Sequence, residues 1–318
     1  AGTGIHVLLH VQLSGTVLAG QMFGIPVSGT MAHSWVMYYK DEYEAFKHYA
    51  ENYPDNTVLL VDTYDTIKSG IPNAIRVARE VLEPMGKRLK GIRIDSGDLA
   101  YQSIKVRKML DDAGLTDCKI IVSNSLDEHT ISSLNMQKAR IDGYGVGERL
   151  ITGASSDYSE DSISLLGAVY KIAAVEENGG FAPRIKVSGS VEKITNPGLK
   201  KVYRVYDQNG KAKADLIAKA DETIDMSQEF RFVDPDMPWR NLKFTHCTVR
   251  PLQEKIFENG KLVYKLPTLN EIRAYVKKQL DEEIWEEEQR FVNPHKHYMD
   301  MTPDYYDMKM SLLNDSRA

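Results

Sequence analysis

Ile92-Arg93-Ile94-Asp95-Ser96-Gly97-Asp98-Leu99 is the stretch that decides the fold. A β-branched apolar run stops abruptly at two carboxylates flanking a Ser-Gly, which reads as a strand ending in a polar tip. An α/β scaffold places its chemistry at the carboxyl ends of its strands, where carboxylates and free backbone N–H groups meet. The same order recurs on either side. Residues 57–61 are apolar and end in Asp62-Thr63-Tyr64-Asp65, residues 119–122 end in Ser123-Asn124-Ser125, and residues 144–146 end in Gly147-Glu148-Arg149. Between these runs, apolar residues at helical spacing predict helices over 67–82 and 99–110, and an acidic cap predicts a third over 127–136. Strand, polar tip, helix, strand implies parallel pairing with right-handed crossovers. Closed into a barrel, the polar tips would converge on one face.

A chain of 318 residues with 42% hydrophobic and 27% charged residues has ordinary globular composition and length enough for a main domain plus an accessory one. Its net charge of −5 gives no bulk attraction to nucleic acid or to an anionic membrane. Any anionic substrate must therefore be held by local groups. Two cysteines, Cys118 and Cys247, are too few for a disulfide scaffold. No apolar stretch approaches the roughly 18 residues needed to span a bilayer. Residues 1–13 show no basic leader, so a cytoplasmic location is expected.

Beyond about residue 150 the pattern changes. Residues 153–164 are polar and read as an exposed loop leading to residues 165–175. Residues 184–187, 201–206 and 214–218 alternate apolar and polar side chains, separated by Asn196-Pro197-Gly198 and Asp207-Gln208-Asn209-Gly210, which predicts antiparallel strands and turns. From Thr268 to about Phe291 a charged helix is expected, opened by a Thr-Leu-Asn-Glu capping box and carrying Ile272, Val276, Leu280 and Ile284 on one stripe. The expected organisation is an atypical segment 1–17, an α/β core 18–183 with the active site, a β-rich segment 184–265 and a helical segment 266–318.

A second constellation lies upstream, in Ile25-Pro26-Val27-Ser28-Gly29-Thr30-Met31-Ala32-His33. Ser28, Gly29 and Thr30 supply donors suited to an anion, and a helix starting near Ala32 would add a favourable dipole. A histidine beside such a turn can act as nucleophile, acid or base, although a lone histidine there is more often structural. Asp62 and Asp65 serve either as caps of a helix starting near Thr66 or in the site. Asp98 is a second candidate N-cap, whereas Asp95 sits too early for that and is the better catalytic candidate. Arg93 points opposite to Ile92 and Ile94, and a buried arginine there needs a partner, either a carboxylate ligand or Asp95. Asp95 or Asp98 suits sugar hydroxyls or a magnesium ion. Gly145-Val146-Gly147 lets backbone N–H groups approach a phosphate. His295-Lys296-His297 lacks a third metal ligand nearby and reads as an exposed loop, and Cys247 as a buried apolar residue.

These motifs, in this order, resemble nicotinate phosphoribosyltransferase in its bacterial form. The resemblance rests on residues 25–35, 59–66 with Ser69-Gly70-Ile71-Pro72, 93–99, 123–128 and 145–152. It continues through Gly167-Ala168-Val169-Tyr170-Lys171, Lys193-Ile194-Thr195-Asn196-Pro197-Gly198 and Leu266-Pro267-Thr268-Leu269. It implies an irregular, TIM-like α/β barrel with a β-rich accessory element and a C-terminal helix, commonly in a homodimer. The implied reaction joins nicotinate to phosphoribosyl pyrophosphate, coupled to ATP with Mg2+. By resemblance His33 is the histidine phosphorylated by ATP, and Thr30 and Arg93 contact nicotinate. Gly145, Gly147 and Glu148 line the phosphate end, and Asp62, Ser123 and Asn124 join the substrate site. Two departures stand out: residues 1–16 do not read as the family's N-terminal region, and Glu148 stands where some relatives have threonine. Glu148 is expected to point away or to pair with a cation such as Arg149. Nicotinamide phosphoribosyltransferase and a non-catalytic fragment or paralogue binding phosphorylated sugars are the rival readings.

Overall fold

A computed structural model describes residues 17–152, 170–187 and 194–315. The chain divides into two units, one holding residues up to 172 together with 185–195, the other holding 173–184 and 196–316. The expected segments 184–265 and 266–318 thus fall largely within the second unit. The segments 1–16, 153–164 and 165–169 lie outside the described residues.

In the first unit, α1 (Val17–Phe23), α2 (His33–Tyr38) and α3 (Glu42–Asn52) precede β1 (Val58–Leu60). A continuous helical stretch follows, with a π turn Thr66–Gly70, α4 (Ile71–Val77), a second π turn Ala78–Leu82 and a 3₁₀ turn Glu83–Met85. Then come β2 (Gly91–Ile94), α5 (Leu99–Asp112), β3 (Lys119–Val122), α6 (Glu128–Met136), β4 (Gly143–Tyr144) and α7 (Glu148–Thr152). The strands form a four-stranded sheet in the order β1-β2-β3-β4, parallel throughout. The register sets Leu60 opposite Arg93 and Ile94 opposite Val122, so the polar tips follow in line along one sheet edge.

The predicted βα cadence is therefore present as a parallel sheet backed by helices. Its strands are buried because both faces are used: Leu59, Leu60, Ile92, Ile94, Ile120 and Val122 pack with Ala74, Val77, Leu82, Val106, Leu110 and Leu134 in one core. Each such aliphatic side chain contributes about 1.5–3 kcal/mol on burial. The helices begin where expected for local reasons. Asp65, Asp98 and Asp127 each accept backbone N–H groups two or three residues on, satisfying donors a helix start leaves free. Gly70 is required because a Cβ there would lie 2.0 Å from the Val61 carbonyl oxygen. That close approach seats the helical stretch directly against the tip of β1.

The second unit opens with a hairpin, β5 (Ala174–Glu177) and β6 (Gly180–Pro183), turned by Asn178 and Gly179 at φ 52° and 79°. The strand expected at 184–187 is not formed: the Asn-Gly turn sets the hairpin earlier, and residues 184–187 leave it as irregular chain. Next come β7 (Lys200–Tyr206), β8 (Ala212–Lys219), β9 (Phe230–Val233), β10 (Asn241–Phe244), β11 (Thr248–Pro251), β12 (Phe257–Glu258), β13 (Lys261–Leu262), α8 (Leu269–Lys278), β14 (Tyr298–Met301) and α9 (Pro303–Asp315). Six of these strands pair as β10-β9-β14-β8-β7-β11 over a core containing Val205, Leu216, Phe232 and Phe244. The β7–β8 turn is closed by Asp207, whose carboxylate accepts from Asn209 N and Lys211 N.

The helix expected to reach Phe291 is shorter. The Thr268 capping box starts α8 as predicted, but a π turn at Gln279–Glu283 ends it and Ile284 is extended. Tertiary bonds take the chain away from the helix axis: the Glu283 carboxylate accepts from the Tyr206 hydroxyl at 2.7 Å and Arg250 at 2.9 Å, and Trp285 Nε1 donates to Ala212 O at 2.8 Å. No helix among the described residues is long and apolar enough to cross a membrane.

Candidate active site

The tips of β1, β2 and β3 and the segment entering α2 bring the predicted residues of the first unit together. His33 opens α2 and is 4% exposed. Its Nδ1 lies 3.1 Å from the Thr63 hydroxyl at the tip of β1. On its other edge, Nε2 lies 3.6 Å from Asp95 Oδ2 and 4.0 Å from Asp62 Oδ1. Those separations are electrostatic approaches longer than a closed hydrogen bond, and Nε2 has no hydrogen-bond partner among the described residues.

Each carboxylate is held from behind. The Ser123 hydroxyl donates to Asp95 Oδ1, and the Ser96 hydroxyl donates to Asp62 Oδ2 at 2.5 Å. Burial pushes the Asp95 carboxyl up, but His33, the Ser123 hydroxyl and the charge of Arg93 outweigh it and hold the group down at about 2. Asp95 is therefore ionised at neutral pH and acts as an acceptor. Asp62 is 4% exposed, and its Oδ1, 4.0 Å from His33 Nε2, has no hydrogen-bond partner among the described residues.

Arg93 projects from β2 between the buried Ile92 and Ile94, as strand alternation requires. Its Nη1 donates to the Thr30 hydroxyl at 2.5 Å, while its buried Nε has no hydrogen-bond partner among the described residues. The neutral Thr30 hydroxyl is thus its direct hydrogen-bond partner, in place of the Asp95 alternative, and the cation retains capacity for a carboxylate ligand. Thr30 also borders an open cavity of 730 Å³ whose wall includes Trp35, Tyr39, Tyr49 and Tyr53.

The remaining candidates sort by position. Asn124 and Ser125, after β3, have φ 111° and 49°, a strained pair at the tip beside Ser123. Asp65 and Asp98 act as caps: Asp65 accepts from Ile67 N and Lys68 N, and the exposed Asp98 accepts from Tyr101 N at 3.0 Å. Gly145 and Gly147 are exposed at the end of β4, with Gly145 N donating to Val122 O at 2.7 Å. The Gly147 carbonyl accepts from Leu150 N and Ile151 N as α7 begins, and Glu148 is exposed at its start. The expected pairing of Glu148 with Arg149 is not present. Arg149 instead donates to Asp127, which is buried and offers a stronger, desolvated partner.

Sequence reading missed Thr63 and Ser96. Thr63 is fully buried against His33, and Ser96 is the hydroxyl behind Asp62. The available signal was their place: each directly follows a strand-tip aspartate. In the second unit the expectation for His297 is corrected. It is partly buried rather than in an exposed loop, with Nδ1 3.1 Å from Glu288 Oε2 and Nε2 3.4 Å from Asp215 Oδ1, because those carboxylates attract it inward. Cys247 is buried, as expected.

Among the described residues no group of three or more His, Cys, Asp or Glu side chains is arranged to hold a metal. Asp62 Oδ1 and Asp95 Oδ2 are nevertheless oxygen donors of the kind a hard cation takes.

A parallel sheet whose strand tips assemble a histidine, two carboxylates and an arginine, joined in one chain to a β-rich unit, defines an α/β protein with an enzyme-type site. Residues 199–309 match the nicotinate phosphoribosyltransferase C-terminal domain. The chain is 47% identical over 305 residues to nicotinate phosphoribosyltransferase of Bacillus subtilis (strain 168), covering 95% of this chain and 60% of that protein. It is 33% identical over 353 residues to the Dictyostelium discoideum nicotinate phosphoribosyltransferase, covering 94% of this chain and 58% of the relative. A crystal structure of human nicotinic acid phosphoribosyltransferase aligns with 99% of this chain and 67% of its own, at 25% identity and TM-score 0.41. The chain is thus similar to nicotinate phosphoribosyltransferases, and spans about three fifths of the length of the two relatives compared by sequence.

Proposed function

We propose that the protein transfers the phosphoribosyl group of phosphoribosyl pyrophosphate to nicotinate, giving nicotinate mononucleotide and pyrophosphate. The observation that carries this reading is the convergence of Arg93–Thr30, Asp95–Ser123 and His33–Asp62 at adjacent strand tips. The relatives' shared name supports it.

In this reading the C1–oxygen bond to pyrophosphate breaks as the C1–nitrogen bond to nicotinate forms. Positive charge develops on the sugar, so ionised Asp95 stabilises it and accepts from ribose hydroxyls. Arg93, with Nη1 on Thr30, offers its remaining N–H groups to the nicotinate carboxylate, a planar match that favours the acid over nicotinamide. The Gly145–Gly147 turn and Glu148 N–H receive the phosphate end, with Asn124 at the adjoining tip. A magnesium ion carried by the pyrophosphate, when bound, neutralises charge on the leaving group, and Asp95 and Asp62 are the side chains that would hold it. ATP phosphorylates His33, adding charge that biases substrate affinities. The parallel sheet forms one side of a closed TIM-like barrel in a cytoplasmic homodimer.

Labelled nicotinate, phosphoribosyl pyrophosphate and Mg2+ are incubated with the protein, with and without ATP, in the presence of nicotinamide as competitor. Nicotinate mononucleotide formation, raised by ATP and insensitive to nicotinamide, is expected. Selective conversion of nicotinamide overturns the substrate assignment, and absence of any nucleotide product overturns the reaction.

A further inference from the structure

We propose that Thr63 is a positioning residue for His33: its hydroxyl donates to Nδ1 and holds the neutral imidazole with its proton on Nε2 and its lone pair on Nδ1. The inference rests on the proposed function only in taking His33 as the phosphoryl acceptor.

The geometry leaves one arrangement of protons for the neutral ring. Nε2 faces Asp95 Oδ2 at 3.6 Å and Asp62 Oδ1 at 4.0 Å. A lone pair directed at two carboxylates is repelled, so Nε2 carries the hydrogen. Nδ1 is then an acceptor, and the Thr63 hydroxyl 3.1 Å away is the donor. That hydroxyl has no other hydrogen-bond partner among the described residues. Thr63 is itself fixed: it is fully buried, it sits one residue beyond Asp62, and its carbonyl accepts from Val187 N at 3.3 Å.

The consequence concerns which nitrogen reacts. The Nδ1 lone pair attacks the γ-phosphorus of ATP, the nitrogen–phosphorus bond forms, and the phosphorus–oxygen bond to ADP breaks with its electron pair leaving on ADP. Nε2 keeps its proton, and the positive charge on the ring is balanced by Asp62 and Asp95. The Thr63 hydroxyl aligns Nδ1 beforehand and rotates about χ1 to release it.

The test compares Thr63→Val, which keeps the shape and removes the hydroxyl, with Thr63→Ser, which keeps the hydroxyl. With γ-labelled ATP, acid-labile phosphate mapped to His33 is expected to accumulate about tenfold more slowly in T63V, matching loss of one hydrogen bond, and within about twofold of the parent rate in T63S. KM for nicotinate is expected to stay the same in both. In 15N-histidine NMR the His33 Nδ1 resonance is expected to move toward the value of an unbonded lone pair in T63V only, a readout independent of activity. Labelling of T63V at the parent rate, or an unmoved Nδ1 resonance, overturns the proposal. If the parent protein never labels His33, the phosphorylation step of the proposed function falls, and the Nδ1 resonance alone decides the role of Thr63.

Discussion

The Arg93 guanidinium and the Thr30 hydroxyl, 63 residues apart in the chain, meet at 2.5 Å. One comes from a central strand of the parallel sheet and the other from the segment entering α2. Arg93 Nε beside this contact is buried, without a hydrogen-bond partner among the described residues. A cation tethered at one nitrogen and unsatisfied at another is prepared to receive an anion.

Arg93→Lys is therefore expected to be non-conservative. A lysine keeps the charge but loses the planar fork, so KM for nicotinate should rise about tenfold to a hundredfold with the melting temperature little changed. Steady-state kinetics with varied nicotinate decides this, and an unchanged KM removes Arg93 from the carboxylate site.

Asp95 and Asp98 flank the same Ser-Gly yet are expected to respond in opposite ways. Asp98 caps α5 through Tyr101 N, so Asp98→Ala should cost about 0.5–2 kcal/mol of stability and leave kcat/KM within about threefold. Asp95→Ala should lose about a hundredfold or more in kcat, because its charge faces His33 and, in the proposed reaction, the sugar that develops positive charge. Paired denaturant titrations and kinetics on the two variants would expose a reversal of these roles.

Ser96→Ala removes the hydroxyl that donates to Asp62 at 2.5 Å. The carboxylate stays buried with one donor fewer, for an expected loss of about 1–3 kcal/mol. Chemical unfolding measures it, and a variant as stable as the parent shows that Asp62 finds another donor.

Asp300, on β14, is fully buried, and neither carboxylate oxygen has a hydrogen-bond partner among the described residues. Burial, assisted by the negative charge of Asp234, pushes its carboxyl up from the ordinary 3.8 to about 6. A raised carboxyl favours the folded state below about pH 4, where it is protonated in both states, and that advantage is lost as pH climbs from 4 through 6. Asp300→Asn, which cannot ionise, should gain up to about 3 kcal/mol relative to the parent between pH 4 and pH 8. Stability measured across that range tests this, and parallel pH profiles for parent and variant would show that Asp300 does not ionise in the window.

What the sequence by itself determined is local. The apolar runs stopping at Asp62, Asp95 and Ser123, the helix starts at Asp65, Asp98 and Asp127, and the Thr268 capping box are all legible, because each depends on neighbours within a few residues or on the repeat of one strand or helix. Candidate site residues could likewise be picked out as polar tips. Only the tertiary structure decided their partners: Arg93 with Thr30, His33 with Thr63, Asp95 with Ser123, and Arg149 with Asp127 in place of its neighbour Glu148. It also decided that the helix opened by Thr268 stops at Glu283, where Tyr206 and Arg250 claim the carboxylate. Periodicity specifies which face a side chain occupies but not which distant strand tip lies beside it. That choice is made when parallel strands take their register and the hydrophobic faces between them are buried.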